Sequence, residues 1–339
     1  MSTALIVGGR GQCGLAIARR LIDDGWTVTA TTSADPPTSG LVPGVRWVHA
    51  ERTHLNELVK ETDVVVHTTA YTVADAEALI ALGDRIGATV VISTLSVYTD
   101  SAGRSLDGAS GAGGFPEWPI PIHEDQPVVG PSDSSYSSRK SAVEALLRER
   151  APWPVTIVRP GAIHGPYSRH LREWYFIKRV LDGRTAVILP YEGLSTFQTT
   201  ATTNLAELVR LAARRPVPTF RAFNCGDIDP PTVLEISSLV DDLMGRSTER
   251  ITVAGGEPAP TVGNHPWSVP APVVADMSRA ETELGYEQPD TYGDAIARTI
   301  PWVVEACRDG DWRKVLPTLA RYPELFDYDA EDAYLDRPT

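Results

Sequence analysis

The stretch Val7-Gly8-Gly9-Arg10-Gly11-Gln12-Cys13-Gly14 constrains the fold more than any other in this chain. It follows an apolar run, Ala4–Val7, and precedes an amphipathic stretch, Leu15–Asp24, so it reads as a turn from a strand into a helix. Gly8 permits the tight turn, Gly11 lets the backbone approach a pyrophosphate at the helix N-terminus, and Gly14 lets the helix pack close to the strand. A glycine triplet is a weak signal alone; the order strand, loop, helix gives it weight against a plain tight turn. The loop therefore predicts a dinucleotide site lined by Gly8, Arg10, Gly11, Gln12, Cys13 and Gly14. Cys13 is read as a small packing residue and not a redox centre.

The first 160 residues continue the alternation. Strands are expected at Ala4–Val7, Thr27–Thr31, Val45–Val48, Asp63–His67, Thr89–Ser93 and Val155–Val158, with helical stretches such as Leu15–Asp24 and Val73–Ile86 between them. Strand and helix in turn imply a parallel sheet covered on both faces, an α/β Rossmann-type doubly wound fold over residues 1–160. Residues 100–133 break the pattern as an irregular insertion rich in Gly, Ser and Pro, read either as a lid carrying Phe115 and Trp118 or as a loose loop. Residues 161–339 are expected to form a smaller, mixed, mainly substrate-binding region, with about 203–226 returning to the sheet. Its helices are expected at 168–182, 203–214, 231–244 and 290–307, and a strand at Phe220–Asn224. Pro301 should kink or split the last helix. The acidic, aromatic tail after Arg308 is read as a short docked helix or a partly loose end.

Charge narrows the partners. The 44 acids against 31 bases, a net −13, work against nucleic acid or an anionic membrane as partner. No apolar run approaches the roughly 18 residues that a transmembrane helix needs, and the N-terminus has no basic lead-in of a signal peptide. Cys13, Cys225 and Cys307 are odd in number and share no metal-ligand spacing, which predicts a reduced, cytoplasmic setting and no metal site. A small-molecule substrate is the expected partner, and a homodimer is left open.

The end of the second strand bears on the cofactor. Dinucleotide folds that prefer NAD usually carry an acid there, on the adenosine ribose. Here the slot falls on Thr32, flanked by Thr31 and Ser33, with Arg10 a cation within reach. The absence of a carboxylate at Thr32 favours NADP(H), with NAD(H) not excluded; Asp35, turned inward, would reverse that preference.

Tyr136 and Lys140 stand four apart at the start of a helical stretch, so they share a face. A phenol with a free pKa of about 10 is a poor proton carrier at neutral pH. A neighbouring ammonium favours the phenolate and makes it a workable acid–base group. Thr94, in "VVISTLSVY", ends the fifth expected strand, where a hydroxyl can polarise a substrate oxygen.

With these residues in order, the chain resembles an extended or atypical short-chain dehydrogenase/reductase of the NAD(P)-dependent epimerase/dehydratase superfamily. The resemblance rests on "VGGRGQCG", "ISTLSVY", "SYSSRK", "VRPGAIHGP", "FNCGD" and "ADMSRAETELGYEQP", which together span most of the chain. It implies that Thr94 bonds the substrate oxygen, Tyr136 is the acid–base, and Lys140 lowers the tyrosine pKa and holds the nicotinamide ribose. Thr68, after the fourth strand, and Pro160 and Ile163, in the segment that closes over the nicotinamide, are implied cofactor contacts. His164 stands where a tyrosine is common.

Departures from the resemblance narrow the reaction. Leu95 and Ser96 occupy the places where 4,6-dehydratases carry acids, and no thiol stands there for a 3,5-epimerase. The 67–93 segment is short for a sugar epimerase, and Thr203-Asn204 replaces an acidic pair. His164, Arg169, His170 and Arg172, near Tyr167 and Tyr175, read as an anionic substrate pocket or a solvated helix face. The leading expectation is an NAD(P)-dependent oxidoreductase interconverting a secondary alcohol and a carbonyl on a small polar metabolite. The alternatives are a nucleotide-sugar 4-epimerase that retains its cofactor, and a non-catalytic dinucleotide-binding regulator or RNA-associated protein.

Overall fold

The structure is a computed structural model describing residues 1–33, 41–109 and 114–336. Six strands open the chain: β1 (Thr3–Val7), β2 (Thr27–Thr32), β3 (Arg46–His49), β4 (Thr62–His67), β5 (Ile86–Ile92) and β6 (Val155–Pro160). With a seventh, Phe220–Cys225, they form one parallel sheet in the order Phe220–Cys225, β6, β5, β4, β1, β2, β3. The expected α/β doubly wound fold is borne out. β1 lies between β2 and β4, so the strand order reverses beside it. The loops leaving β1 and β4 therefore part at their carboxyl ends and leave a crevice, where ligands of such sheets bind.

Alternation along each strand shows both faces to be covered. Ala4 and Ile6 pack into one core, with Val64, Val66, Val90 and Ile92; Leu5 and Val7 pack into the other, with Val65 and Val91. The first core takes the apolar faces of α1 (Gln12–Asp23), α5 (Thr202–Arg214) and α7 (Ser278–Leu284). The second takes α2 (Val73–Ile80) and α3 (Tyr136–Arg150).

Several boundaries differ from expectation for local reasons. α1 begins three residues before Leu15, with Gly14 inside its first turn. β5 begins at Ile86, not Thr89, and includes Gly87, where a Cβ would meet the Asp63 carbonyl oxygen at 2.7 Å. α2 stops at Ile80 instead of running on to Ile86, and a short 3-10 turn follows at Gly83–Arg85, opened by Gly83 at φ +58°.

By contacts the chain divides into two compact units. The first is Met1–Ile163 with Thr200–Ile228 and Ala275–Pro289. The second is His164–Thr199 with Asp229–Val274 and Asp290–Thr339. The second unit holds α4 (Trp174–Leu181), α6 (Val233–Met244), α8 (Tyr292–Cys307) and the parallel pair Ala186–Leu189 with Glu249–Thr252. α8 does not split at Pro301, as the sequence suggests it should: the proline ring is exposed, so the carbonyl it leaves unpaired faces water. The tail folds as α9 (Trp312–Val315), two 3-10 turns and α10 (Tyr328–Leu335). Buried Glu331 of α10 pairs with buried Arg179 of α4, whose guanidinium stacks 3.5 Å from the Tyr175 ring centroid. No helix among the described residues is long and apolar enough to cross a membrane.

Candidate active site

The glycine loop does three separate things. Gly8 sits at φ +80°, a conformation that a side chain resists, and a Cβ there would meet the Thr68 hydroxyl at 2.5 Å. Gly14 lies so close that a Cβ would come within 2.6 Å of Gly9. Gly9, to which the sequence reading gives no role, needs its missing side chain too: a Cβ would stand 2.6 Å from that of Ala30 on β2. Gly11 meets nothing tight, its nearest neighbour for a Cβ being the Gly8 carbonyl at 3.6 Å.

Gly11 is also the N-cap of α1 and brings no side chain to cap the first amides. Beside them the Gln12 side-chain oxygen is buried with no hydrogen-bond partner. An uncapped helix N-terminus with open space at Gly11 suits a pyrophosphate, and the orphaned Gln12 oxygen suits a hydroxyl or amide donor. The residues present thus fit a dinucleotide. Cys13 lines the same turn, and burial pushes its thiol up to about 12, so it stays protonated at neutral pH.

Thr31 and Thr68 brace this loop. The Gly8 amide donates to the Thr31 hydroxyl at 3.3 Å. The Thr68 hydroxyl donates toward the carbonyls of Val7 at 2.9 Å and Gly8 at 3.2 Å, so its proton is spent on the loop. Thr32 is buried at the end of β2, opposite His49 in register, while Arg10 and Ser33 are exposed. Asp35, which bears on cofactor preference, lies outside the described residues. Pro160 ends β6 in register with Cys225, and Ile163 packs partly buried against the α1–α5 core.

Lys140 is the centre of the second half of the site. It is 3% exposed, and its ammonium donates to the carbonyls of Ala70, after β4, at 2.7 Å and of Ile92, in β5, at 2.6 Å. The Tyr71 ring stands 5.0 Å away on another side. Burial pulls the lysine down to about 8, against the carboxylates of Glu144 and Asp75, which hold it up. Asp75 is itself fully buried, capping the start of α2 and taking the Arg52 guanidinium at 2.6 Å. Buried His67 accepts the Thr69 amide on Nδ1, and burial lowers it to about 3, so it is neutral.

Lys140 bonds Ile92, two residues before Thr94, so helix α3 is docked along the carboxyl end of β5. Thr94 is nearly buried, and its hydroxyl accepts the Ser96 amide and bonds the Ser96 hydroxyl, both at 3.2 Å. Leu95, in one of the two dehydratase-acid positions, is buried. Tyr136 is the first residue of α3, one turn before Lys140, and is 41% exposed. Lys140 thus docks at the carboxyl end of β5, two residues before Thr94, on the helix that Tyr136 opens.

The sequence reading missed the network behind them. Arg159 on β6 and Glu144 on α3 form a buried ion pair at 2.6 Å. Arg159 also donates to the Tyr98 hydroxyl at 3.0 Å, which donates to Asn224 at 2.7 Å. Glu144 lies four residues after Lys140, so its place on the same helix face was available from spacing. In the second unit, Tyr175 is wholly buried and burial with Arg172 lowers His170 to about 4, which leaves His170 neutral. Among the described residues no cluster of three His, Cys, Asp or Glu is placed to hold a metal.

The comparisons agree on the fold. A UDP-N-acetylglucosamine 4-epimerase from Methanobrevibacter ruminantium, solved with UDP-N-acetylmuramic acid, superposes with a TM-score of 0.69 at 15% identity, over 90% of this chain and 99% of that one. A UDP-glucuronic acid 4-epimerase from Bacillus cereus, solved with UDP-glucuronic acid and NAD, gives 0.66 at 18% identity, over 90% and 99%. A dTDP-glucose 4,6-dehydratase from Bacillus anthracis with NAD gives 0.65 at 18% identity, over 93% and 100%. No curated protein matches the chain. The profile of the NAD dependent epimerase/dehydratase family matches residues 4–226, from β1 through the strand Phe220–Cys225, and the chain is a member of that family.

Proposed function

We propose that this enzyme oxidises a secondary alcohol of a nucleotide-linked sugar to a ketone and reduces it again on the other face, as a 4-epimerase that retains its dinucleotide. The observation that carries the chemistry is buried Lys140, on the helix that Tyr136 opens, docked at the carboxyl end of β5 just before Thr94, with an uncapped glycine loop after β1. Support for the sugar class comes from the family and from the 4-epimerases among the structural neighbours. Leu95 and Ser96 in place of acids speak against water elimination.

Gly8, Gly11, Gln12 and Gly14 would hold the dinucleotide's pyrophosphate, Thr32 and Ser33 its adenosine ribose, and Lys140 its nicotinamide ribose. When bound, the nicotinamide accepts and returns the hydride. Tyr136, as phenolate, takes the proton of the substrate hydroxyl, and the Thr94 hydroxyl bonds the oxygen that becomes the carbonyl. Charged Lys140 favours that phenolate. On the return step the phenol gives the proton back.

The test starts from the purified protein, mixed with UDP-glucuronic acid, UDP-N-acetylglucosamine or dTDP-glucose. Epimer should form, by NMR, with no net change in total reduced cofactor. Tyr136→Phe should lower the rate at least about a hundredfold, the usual scale of an acid–base group, with dinucleotide binding unchanged. Turnover retained in that variant sinks the mechanism. The second reading, a net oxidoreductase on a small polar metabolite, shares every catalytic residue. It is favoured if product accumulates in proportion to cofactor consumed.

NADP(H) is the proposed dinucleotide, because the end of β2 offers Thr32 and Ser33 with Arg10 exposed nearby, and no carboxylate at the Thr32 slot. Fluorescence titration should give tighter binding for NADPH than for NADH, and Thr32→Asp should reverse the order by charge repulsion. NADH binding tenfold tighter to the unchanged protein would overturn this assignment.

A further inference from the structure

The mechanism leaves one weakness unanswered. Lys140 is locked by two carbonyls, but Tyr136 is the first residue of α3 and is 41% exposed. First turns of helices fray most readily, since their amides lack partners within the helix. The placement of that first turn therefore bears on where the phenol stands.

Two sets of hydrogen bonds act on the residues next to Tyr136. Ser135 and Ser138 form a reciprocal capping box. The other comes from far along the chain, from the 100–133 insertion. Asp107 accepts the Ser137 amide on one carboxylate oxygen and the Ser137 hydroxyl on the other, each at 2.9 Å. Asp107 is delivered by a turn that is itself built: buried Asp100 accepts the amides of Ala102 at 2.9 Å, Arg104 at 2.9 Å and Glu117 at 3.0 Å, and pairs with the Arg104 guanidinium at 2.6 Å. Asp100 lies two residues after Tyr98, whose hydroxyl joins the Arg159 network. One continuous segment therefore leaves the Thr94 strand end, folds around Asp100, and returns Asp107 to the residue adjoining Tyr136.

We propose that Asp107 is a positioning residue for Tyr136, and that the 100–109 part of the insertion is a clamp on the first turn of the catalytic helix. This rests on the reading of Tyr136 as acid–base. The carboxylate grips the backbone and side chain of Ser137 together, which fixes both the start of the helix and its rotation. Its negative charge at a helix N-terminus adds to the hold. The phenol then meets the substrate oxygen in one geometry, and a displacement of about 1 Å costs such chemistry as much as a hundredfold.

The experiment compares wild type with Asp107→Ala and Asp107→Asn. The first readout needs no substrate: hydrogen exchange of the amides from Tyr136 to Arg139. Exchange there should speed up about tenfold in Asp107→Ala, and be partly restored in Asp107→Asn, which keeps one acceptor; amides after Lys140 should be unmoved. The second readout is turnover of UDP-glucuronic acid. Asp107→Ala should lower kcat about tenfold or more with KM and NADPH affinity near wild type, and Asp107→Asn should recover part of the loss. Unchanged exchange in Asp107→Ala overturns the clamp. Faster exchange with unchanged kcat makes Asp107 a helix cap only, and also overturns the positioning role. If Tyr136→Phe itself turns over normally, the catalytic reading fails instead, and the exchange result still decides whether the clamp exists.

Discussion

At the residue scale, Lys140 shows what the site costs the fold. Burial moves its pKa from the ordinary 10.5 to about 8, with Glu144 and Asp75 resisting. The folded protein therefore releases this proton at lower pH than the unfolded chain does. Between about 8 and 10.5 the unfolded state holds more protons, so stability rises with pH across that window. Below it, the buried ammonium lowers stability by about 3 kcal/mol, taking 1.36 kcal/mol for each pH unit of the gap. Urea unfolding of wild type and Lys140→Met from pH 7 to 10.5 isolates this one group. The methionine variant should be the more stable at pH 7, and wild type should close on it as pH rises. A difference that stays flat would mean the lysine is hydrated in solution. Tyr136, Lys140 and Thr94 were legible in the sequence because their chemistry is local: a spacing of four, and a hydroxyl at a strand end. Asp107 was not, since it acts on Ser137, which only the fold brings near, across 30 positions of sequence.

At the scale of elements, the sequence misjudged ends more than identities, and each error has a steric cause. The expected strand begins at Thr89, but β5 begins at Ile86 and runs through Gly87, where the neighbouring chain at Asp63 passes so close that only glycine fits. Gly83 sits in an otherwise helical pattern, and its positive φ ends the helix early. Pro301 predicts a kink or a split, and α8 runs through it without splitting; the ring faces solvent, so the lost bond is on the wet side of the helix. The α3 helix has a weak apolar stripe, so periodicity alone undersells it. Its buried side carries Ser137, Lys140, Ser141 and Glu144, polar groups whose partners come from the ends of β4 and β5, from β6 and from the insertion. A helix buried through hydrogen bonds departs from the ordinary pattern where the site is proposed, the place where local rules are expected to fail.

At the scale of the whole molecule, sequence order and spatial order part company. The sequence expects a boundary near residue 160 with about 203–226 returning to the sheet; by contacts the first unit takes Thr200–Ile228 and, in addition, Ala275–Pro289. Those returning pieces are structural necessities. The first supplies α5 and the edge strand Phe220–Cys225, the second supplies α7, and with α1 they cover one face of the sheet. Without them Leu205, Leu208, Val209, Phe223 and Leu284 would be missing from that core, and the apolar residues of β5 and β6 on that face, Val90, Ile92 and Val158, would lose their cover. At about 2 kcal/mol for each large apolar side chain, the five missing residues alone amount to about 10 kcal/mol, comparable to the whole net stability of a domain at roughly 5–15 kcal/mol. A fragment of residues 1–163 should therefore keep strand and helix content by circular dichroism but unfold without a cooperative transition in urea, and should bind a hydrophobic dye. The full chain should unfold cooperatively under the same conditions. A sharp urea transition in the fragment would mean that the glycine loop and the Tyr136–Lys140 helix are supported by the first 163 residues alone, and that the returning segments serve the second unit instead.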